Sequence, residues 1–238
     1  MTLPRVISAE LIKLRTLPVI TTTVFATIGT AITLSAAIAA SSTVAISAVQ
    51  VTRATIPFVQ IGVILLGVLS VATEYQGGQI RTTLTATPRR LTSFAGKSLA
   101  FLATAVVTSG VAVGASWLAA TITLSVRHLA AAGEASLWPT VGAAVYLALI
   151  GSLAFALTVL LRSLIPPLVA MLSLVLIVSP LASGLTEHTR WLPDKAGSLL
   201  YLTDTDKVLD AGTGTLILLA WITVVSIAAS TTFTRRDA

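Results

Sequence analysis

The chain has 238 residues, of which 55% are hydrophobic and only 10% charged, with a mean hydropathy of +0.95 and a formal net charge of +6. A water-soluble domain carries about 25% charged residues, so the composition excludes an ordinary soluble fold and points into a bilayer. Cysteine is absent, which excludes disulfides, thiolate metal sites and cysteine nucleophiles; asparagine is absent too and Arg outnumbers Lys eleven to four, the bias of a GC-rich bacterial genome.

Charge-free runs cover residues 16–52, 54–73, 98–126, 135–161, 163–186 and 211–234. A membrane-crossing helix needs about 20 residues, so each run is long enough, and the fold expected is an all-α membrane protein of six transmembrane helices in one domain, 1–238. Residues 2–15 place Leu3, Val6, Ile7, Leu11 and Leu14 on one side of a helix and Arg5, Ser8 and Lys13 elsewhere. That pattern predicts a basic amphipathic helix over 1–16, lying in the membrane interface. The apolar run from Leu17 to Ala40 exceeds the roughly 7 to 15 residues of a signal-peptide core, so it reads as a retained first span, entered at Pro18.

A short connection over 41–55 leads to a second span, Ile56 to Thr73, and then to the one long polar interruption in the first half of the chain, residues 74–97. This loop carries Arg81, Arg89, Arg90 and Lys97 against the single acid Glu74. Span three is expected from Ser98 to Val126 and contains Gly110 and Gly114, a spacing that permits close helix approach but recurs by chance in apolar sequence. Trp138 stands at an expected interface before span four, Thr140 to Leu161; only a tight turn fits between Arg162 and Pro166, so spans four and five form a helical hairpin. Pro180 should kink or stop span five. Residues 185–213 are longer than a connection needs, and Trp191 to Tyr201 suggests a short amphipathic or re-entrant helix held in the membrane interface by Trp191 and Tyr201, before span six, Thr215 to Thr234.

Basic residues mark the cytoplasmic side of membrane proteins. With both termini inside, that side holds Arg5, Lys13, Arg15, Arg81, Arg89, Arg90, Lys97, Arg162, Arg235 and Arg236 against Glu10, Glu74 and Asp237, a net +7, and leaves −1 outside, which together make the +6 of the whole chain. Membrane orientation therefore accounts for the basic character, and no nucleic-acid partner is expected, since no basic patch with interleaved aromatics occurs.

Motifs for catalysis are missing. Gly96-Lys97-Ser98 resembles the end of a phosphate-binding loop, but Leu91 stands where that loop needs a glycine. Neither H-E-x-x-H nor G-x-S-x-G occurs, and His128 and His188 fall in separate loops. An intramembrane enzyme lacks an assembled nucleophile, base and metal set, and no ionisable group lies mid-span to relay protons or sodium.

The order of these parts resembles the membrane-spanning permease subunits of type-2 ATP-binding-cassette (ABC) transporters over nearly the whole chain. The residues that carry the resemblance are the entry helix around Glu10-Leu11-Ile12-Lys13-Leu14-Arg15, and the block from Glu74-Tyr75 through Gln79-Ile80-Arg81-Thr82-Thr83-Leu84 to Pro88-Arg89-Arg90 and Lys97. Leu161-Arg162-Ser163 and Leu192-Pro193-Asp194-Lys195-Ala196-Gly197 follow. The resemblance implies a bacterial plasma-membrane protein with no catalytic, cofactor or metal site of its own, paired with a second permease chain and with an ABC ATPase subunit that holds ATP and Mg. It makes residues 74–97 a cytoplasmic coupling loop whose helix, Gln79 to Ala86, docks on the ATPase, with Glu74, Gln79, Arg81, Thr83, Arg89 and Arg90 as contact residues. The charge-free spans suggest a lipophilic or amphipathic cargo moved outward, such as an antibiotic, peptide or lipid-like molecule. The alternative expectation is an ATP-independent multi-pass binding or immunity protein whose segment 185–213 captures a ligand. In both, membrane lipids are direct partners, and Arg81, Arg89 and Arg90 also suit lipid phosphates.

Overall fold

The computed structural model describes residues 3–76, 90–129, 137–202 and 209–235, and every long element among them is helical. The N-terminal helix α1 spans Leu3–Thr16, and Pro18 opens α2 (Pro18–Ser41) as the first-turn proline its fixed φ favours. The remaining long helices are α3 (Ala48–Gln76), α4 (Arg90–Val126), α5 (Trp138–Leu161) and α9 (Ala211–Arg235). Between α5 and α9 the chain forms α6 (Ile165–Ser173), a π turn (Leu174–Val178), α7 (Ser179–Ser183), a 3-10 turn (Glu187–Trp191) and α8 (Pro193–Ser198).

Six segments are long and apolar enough to cross a membrane, with α6, the π turn and α7 acting as one. The protein is thus a multi-pass helical membrane protein. Several helices overrun the charge-free runs of the sequence: α3 begins before Arg53 and α4 takes in Lys97. The reason at Lys97 is that its ammonium is neutralised by carboxylates from neighbouring helices, so the helix continues through it.

Helices α3 and α5 form the centre, and the others surround them, α2 and α4 on one side and α6 and α9 on others. Glycine sets the central crossing: a Cβ on Gly67 would lie 2.5 Å from the Gly151 carbonyl oxygen, and one on Gly151 would lie 2.7 Å from Val63 Cγ1. Small residues let backbones approach in a solvent where lipid tails compete for every apolar contact. By contrast Gly110 and Gly114 have nothing within 4 Å of where a Cβ would sit, so the G-x-x-x-G spacing seats no helix of this chain. Phe101 stacks on Phe155 at 4.9 Å to fill the half of the core beneath α1.

Polar groups inside the bundle pair across helices. Ser116 Oγ lies 2.5 Å from Ser35 Oγ and 3.2 Å from Thr55 Oγ1, joining α2, α3 and α4, and Tyr146 Oη donates to Gln60 Oε1 at 2.6 Å, joining α5 to α3. Such bonds contribute about 0.6 kcal/mol each on average in a membrane bundle, so their effect is chiefly on register.

Pro180 lies in the first turn of α7 and the preceding π turn absorbs it: Ser179 N–H reaches back five residues to Leu174 O. The regular helix is thus broken by a π turn just before the proline and runs on only to Ser183.

Candidate functional site

The α1 face of the bundle brings together the parts that flank residues 77–89. Glu10 and Lys13 share one side of α1, Glu74 sits near the end of α3, and Lys97 lies in the second turn of α4. Lys97 Nζ donates to Glu74 Oε1 at 2.6 Å and Oε2 at 2.8 Å, and lies 2.8 Å from Glu10 Oε1. Lys13 Nζ donates to Glu74 Oε1 at 2.5 Å. The network holds two acids and two bases, and Glu74 and Lys97 are both buried within it, at 3% and 8% exposure.

Local structure explains how the four meet. Val6, Leu14 and their partly buried neighbours Ile7 and Leu11 turn one side of α1 toward α4, and Glu10 lies within that side, three residues after Ile7 and four before Leu14. The crossing point is Gly96, where a Cβ would lie 2.5 Å from Val6 Cγ1. Gly96 and Lys97, read as the end of a phosphate loop in sequence, therefore seat and pin α1, and Ser98 Oγ donates to Phe94 O at 2.9 Å within α4.

Of the expected contact residues, Glu74 is in this network and Arg90 opens α4. Gln79, Arg81, Thr83 and Arg89, and with them the expected helix over Gln79 to Ala86, lie outside the described residues. Sequence reasoning named Glu10, Lys13, Glu74 and Lys97 without joining them; the legible signal was an acid inside the apolar stripe of α1.

The opposite face is closed by the segment from Glu187 to Leu202. It packs into the bundle: Pro193, Asp194, Ala196 and Gly197 are buried, and Tyr201, expected as an interfacial anchor, is buried against Tyr146, ring centroids 5.3 Å apart. Glycines again allow the approach. A Cβ on Gly142 would lie 1.9 Å from Leu200 O, one on Gly197 2.7 Å from Tyr146 Cδ2, and one on Gly214 2.3 Å from Ala196 O. Trp191 does remain half exposed, and its carbonyl accepts from Trp221 Nε1 at 3.1 Å.

Asp194 is held in this cap by Ser179 Oγ, which donates to Asp194 Oδ1 at 2.6 Å from the π-turn end of the fifth span. Burial raises the Asp194 carboxyl above the usual carboxylate range, against the opposing pull of the Ser179 hydrogen bond. Burial likewise pushes the Tyr201 phenol up. Asp210, by contrast, is exposed and lowered by Thr213, with which it forms a reciprocal cap on α9: Thr213 N–H donates to Asp210 Oδ1 at 2.9 Å and Asp210 N–H to Thr213 Oγ1 at 3.0 Å. Outside the cap, a cavity of about 640 Å³ is lined by Glu187, Arg190, Lys195, Ser198 and neighbouring residues.

Among the described residues no group of three or more His, Asp or Glu side chains is placed to hold a metal. What the α1 face can do is mechanical: it couples three helices through charge. No protein-family model matches the chain, and no curated protein matches it.

Proposed function

We propose that this chain is the permease subunit of a type-2 ABC transporter in a bacterial plasma membrane, exporting a lipophilic or amphipathic compound with ATP hydrolysed, in the presence of Mg, on a separate ATPase subunit. The observation that carries the reading is the buried network of Glu10, Lys13, Glu74 and Lys97. It ties the interfacial helix to the ends of both spans that flank residues 77–89, so a push delivered there moves α1, α3 and α4 as one body. A membrane subunit without a nucleotide site needs such a link, because the energy of hydrolysis must arrive through a contact. The +7 balance on the α1 side orients that face, with both termini, toward the cytoplasm. A second permease chain completes the transport path.

A second reading, an ATP-independent binding or immunity protein, is favoured by the 640 Å³ cavity on the opposite face, with Arg190 and Lys195 in its lining. The two readings part at residues 77–89. If Gln79 to Ala86 is the coupling helix, as that reading requires, a Thr83→Pro variant costs it about 3 kcal/mol or more through a lost hydrogen bond and a clash, without touching a charge. Coupling predicts that this variant, and reversal of Arg89 and Arg90, reach the membrane at wild-type abundance yet lose co-purification of the ATPase or lose transport. Wild-type values of both quantities for Thr83→Pro sink the coupling reading.

A further inference from the structure

On the α1 face, one residue along α3 from the charge network, a cavity of about 300 Å³ is lined by Tyr75, Arg162, Ser163, Leu164, Ile165 and Pro166. It sits between the end of α3 and the turn that joins α5 to α6. Two of the lining residues carry buried polar atoms with no hydrogen-bond partner, Tyr75 Oη and Arg162 Nε. Among the described residues, the Arg162 guanidinium is engaged through Nη2, which donates to Thr232 O of α9 at 2.8 Å.

The backbone at Arg162 adds an independent observation. The residue caps α5 in the left-handed conformation, φ 53°, its N–H donating to Thr158 O. Glycine is the residue that ends helices this way at least cost, so what arginine contributes is its side chain. A half-buried, permanently charged guanidinium whose Nε is shut off from water is well matched by an anion, and no carboxylate of the described residues pairs with it. Glu74, the chain neighbour of the lining residue Tyr75, is already held by two lysines.

We propose that this cavity binds the phosphodiester of an anionic phospholipid in the leaflet at the α1 face. A guanidinium fork and a phenol hydroxyl are both donors, and a phosphate oxyanion accepts from both. The rest of the lining suits a lipid: Leu164, Ile165 and Pro166 are apolar, Ile165 is 68% exposed and Leu161 42% exposed at the end of a membrane span. A volume near 300 Å³ admits a phosphate with its glycerol; acyl chains then run along the uncovered apolar side of α6, where Val169 is also exposed. A zwitterionic headgroup brings its own cation toward Arg162 and binds less well. The inference stands on the membrane fold alone and is independent of the transport reading.

The test uses the full-length protein in mild detergent, with native mass spectrometry counting bound lipid while phosphatidylglycerol, phosphatidylcholine or inorganic phosphate is titrated. Phosphatidylglycerol should bind about tenfold or more tightly than phosphatidylcholine, a difference of the size expected for one well-placed charge-assisted contact. Arg162→Gln should abolish that preference, and Tyr75→Phe, which keeps the ring and removes only the hydroxyl, should weaken phosphatidylglycerol about fivefold to tenfold. Arg5→Gln, at an exposed arginine on the same face, should leave the preference unchanged. If Arg162→Gln does not fold, Arg162→Lys and Tyr75→Phe carry the same comparison, with a partial loss expected from each. The proposal is overturned if Arg5→Gln costs as much as the cavity variants, which marks general surface attraction. It is also overturned if millimolar inorganic phosphate displaces the lipid completely, which marks a site for a soluble anion.

Discussion

Replacing Glu74 by Gln keeps the shape of the side chain and removes the charge on which two ammonium groups converge at 2.5 and 2.6 Å. Removing one partner of a buried ion pair costs about 3–5 kcal/mol, because the other charge stays buried without compensation. Here the lower end applies. Lys97 keeps Glu10 at 2.8 Å, and Lys13, with a quarter of its side chain exposed, can turn toward water. About 3 kcal/mol in a chain of this length corresponds to a fall in Tm of about 6–12 °C, readable by thermal unfolding in mild detergent. The decisive comparison is the double variant Glu74→Gln with Lys97→Met, which removes one charge of each sign and leaves Glu10 with Lys13 on α1. Since a whole buried pair exchanged for neutral groups is often nearly neutral in stability, the double variant should be more stable than the sum of its parts by about 2 kcal/mol. Additivity within about 0.5 kcal/mol, or a Glu74→Gln variant indistinguishable from wild type, would refute the network as the clamp of the α1 face.

Gly142→Val should undock the cap at 187–202, since even a Cβ there lies 1.9 Å from the Leu200 carbonyl; overpacking of this kind costs about 1–3 kcal/mol, and cleavage near residue 200 by an added protease should accelerate while Gly110→Val, at an open site, changes neither quantity. Asp194 contributes a pH dependence of definite sign: its folded-state carboxyl is raised by burial, so the native state binds its proton more tightly and the ionised form is penalised as pH rises from the ordinary carboxylate value, 3.8, through the raised one. Asp194→Asn should remove that slope in a Tm-versus-pH series and leave neutral-pH stability equal or higher, whereas Asp194→Ala should lower it by leaving Ser179 Oγ without its acceptor. Because the chain lacks cysteine, single cysteines report sidedness directly: Leu185→Cys, at an 82% exposed position, should react with a membrane-impermeant thiol reagent on intact cells and Ile12→Cys, 64% exposed on α1, should not, and the reverse result would invert the orientation.

The six spans and the N-terminal helix were legible in the sequence, because each depends on a local sum. A backbone in hydrocarbon must satisfy its own hydrogen bonds and shed charged side chains, and twenty neighbouring residues suffice to decide whether it can. Pro18 and Arg162 marked boundaries for the same reason, one through a fixed φ and the other through a charge that must reach an interface. What the tertiary structure alone decided is which faces of those spans meet. Lipid is as apolar as leucine, so a span buried in protein and one bathed in acyl chains share a composition, and hydropathy carries little rotational signal. Gly110 and Gly114 looked like a contact and are open, while Gly67, Gly142 and Gly151, which drew no notice, hold close crossings. Glu74 joins Lys97 across 23 residues and Lys13 across 61, a convergence set by the crossing of α1 over Gly96. The cap at 187–202 went inside for a similar reason. Its apolar residues satisfied either the membrane surface or the bundle, and the room that Gly142, Gly197 and Gly214 leave between helices settled the choice.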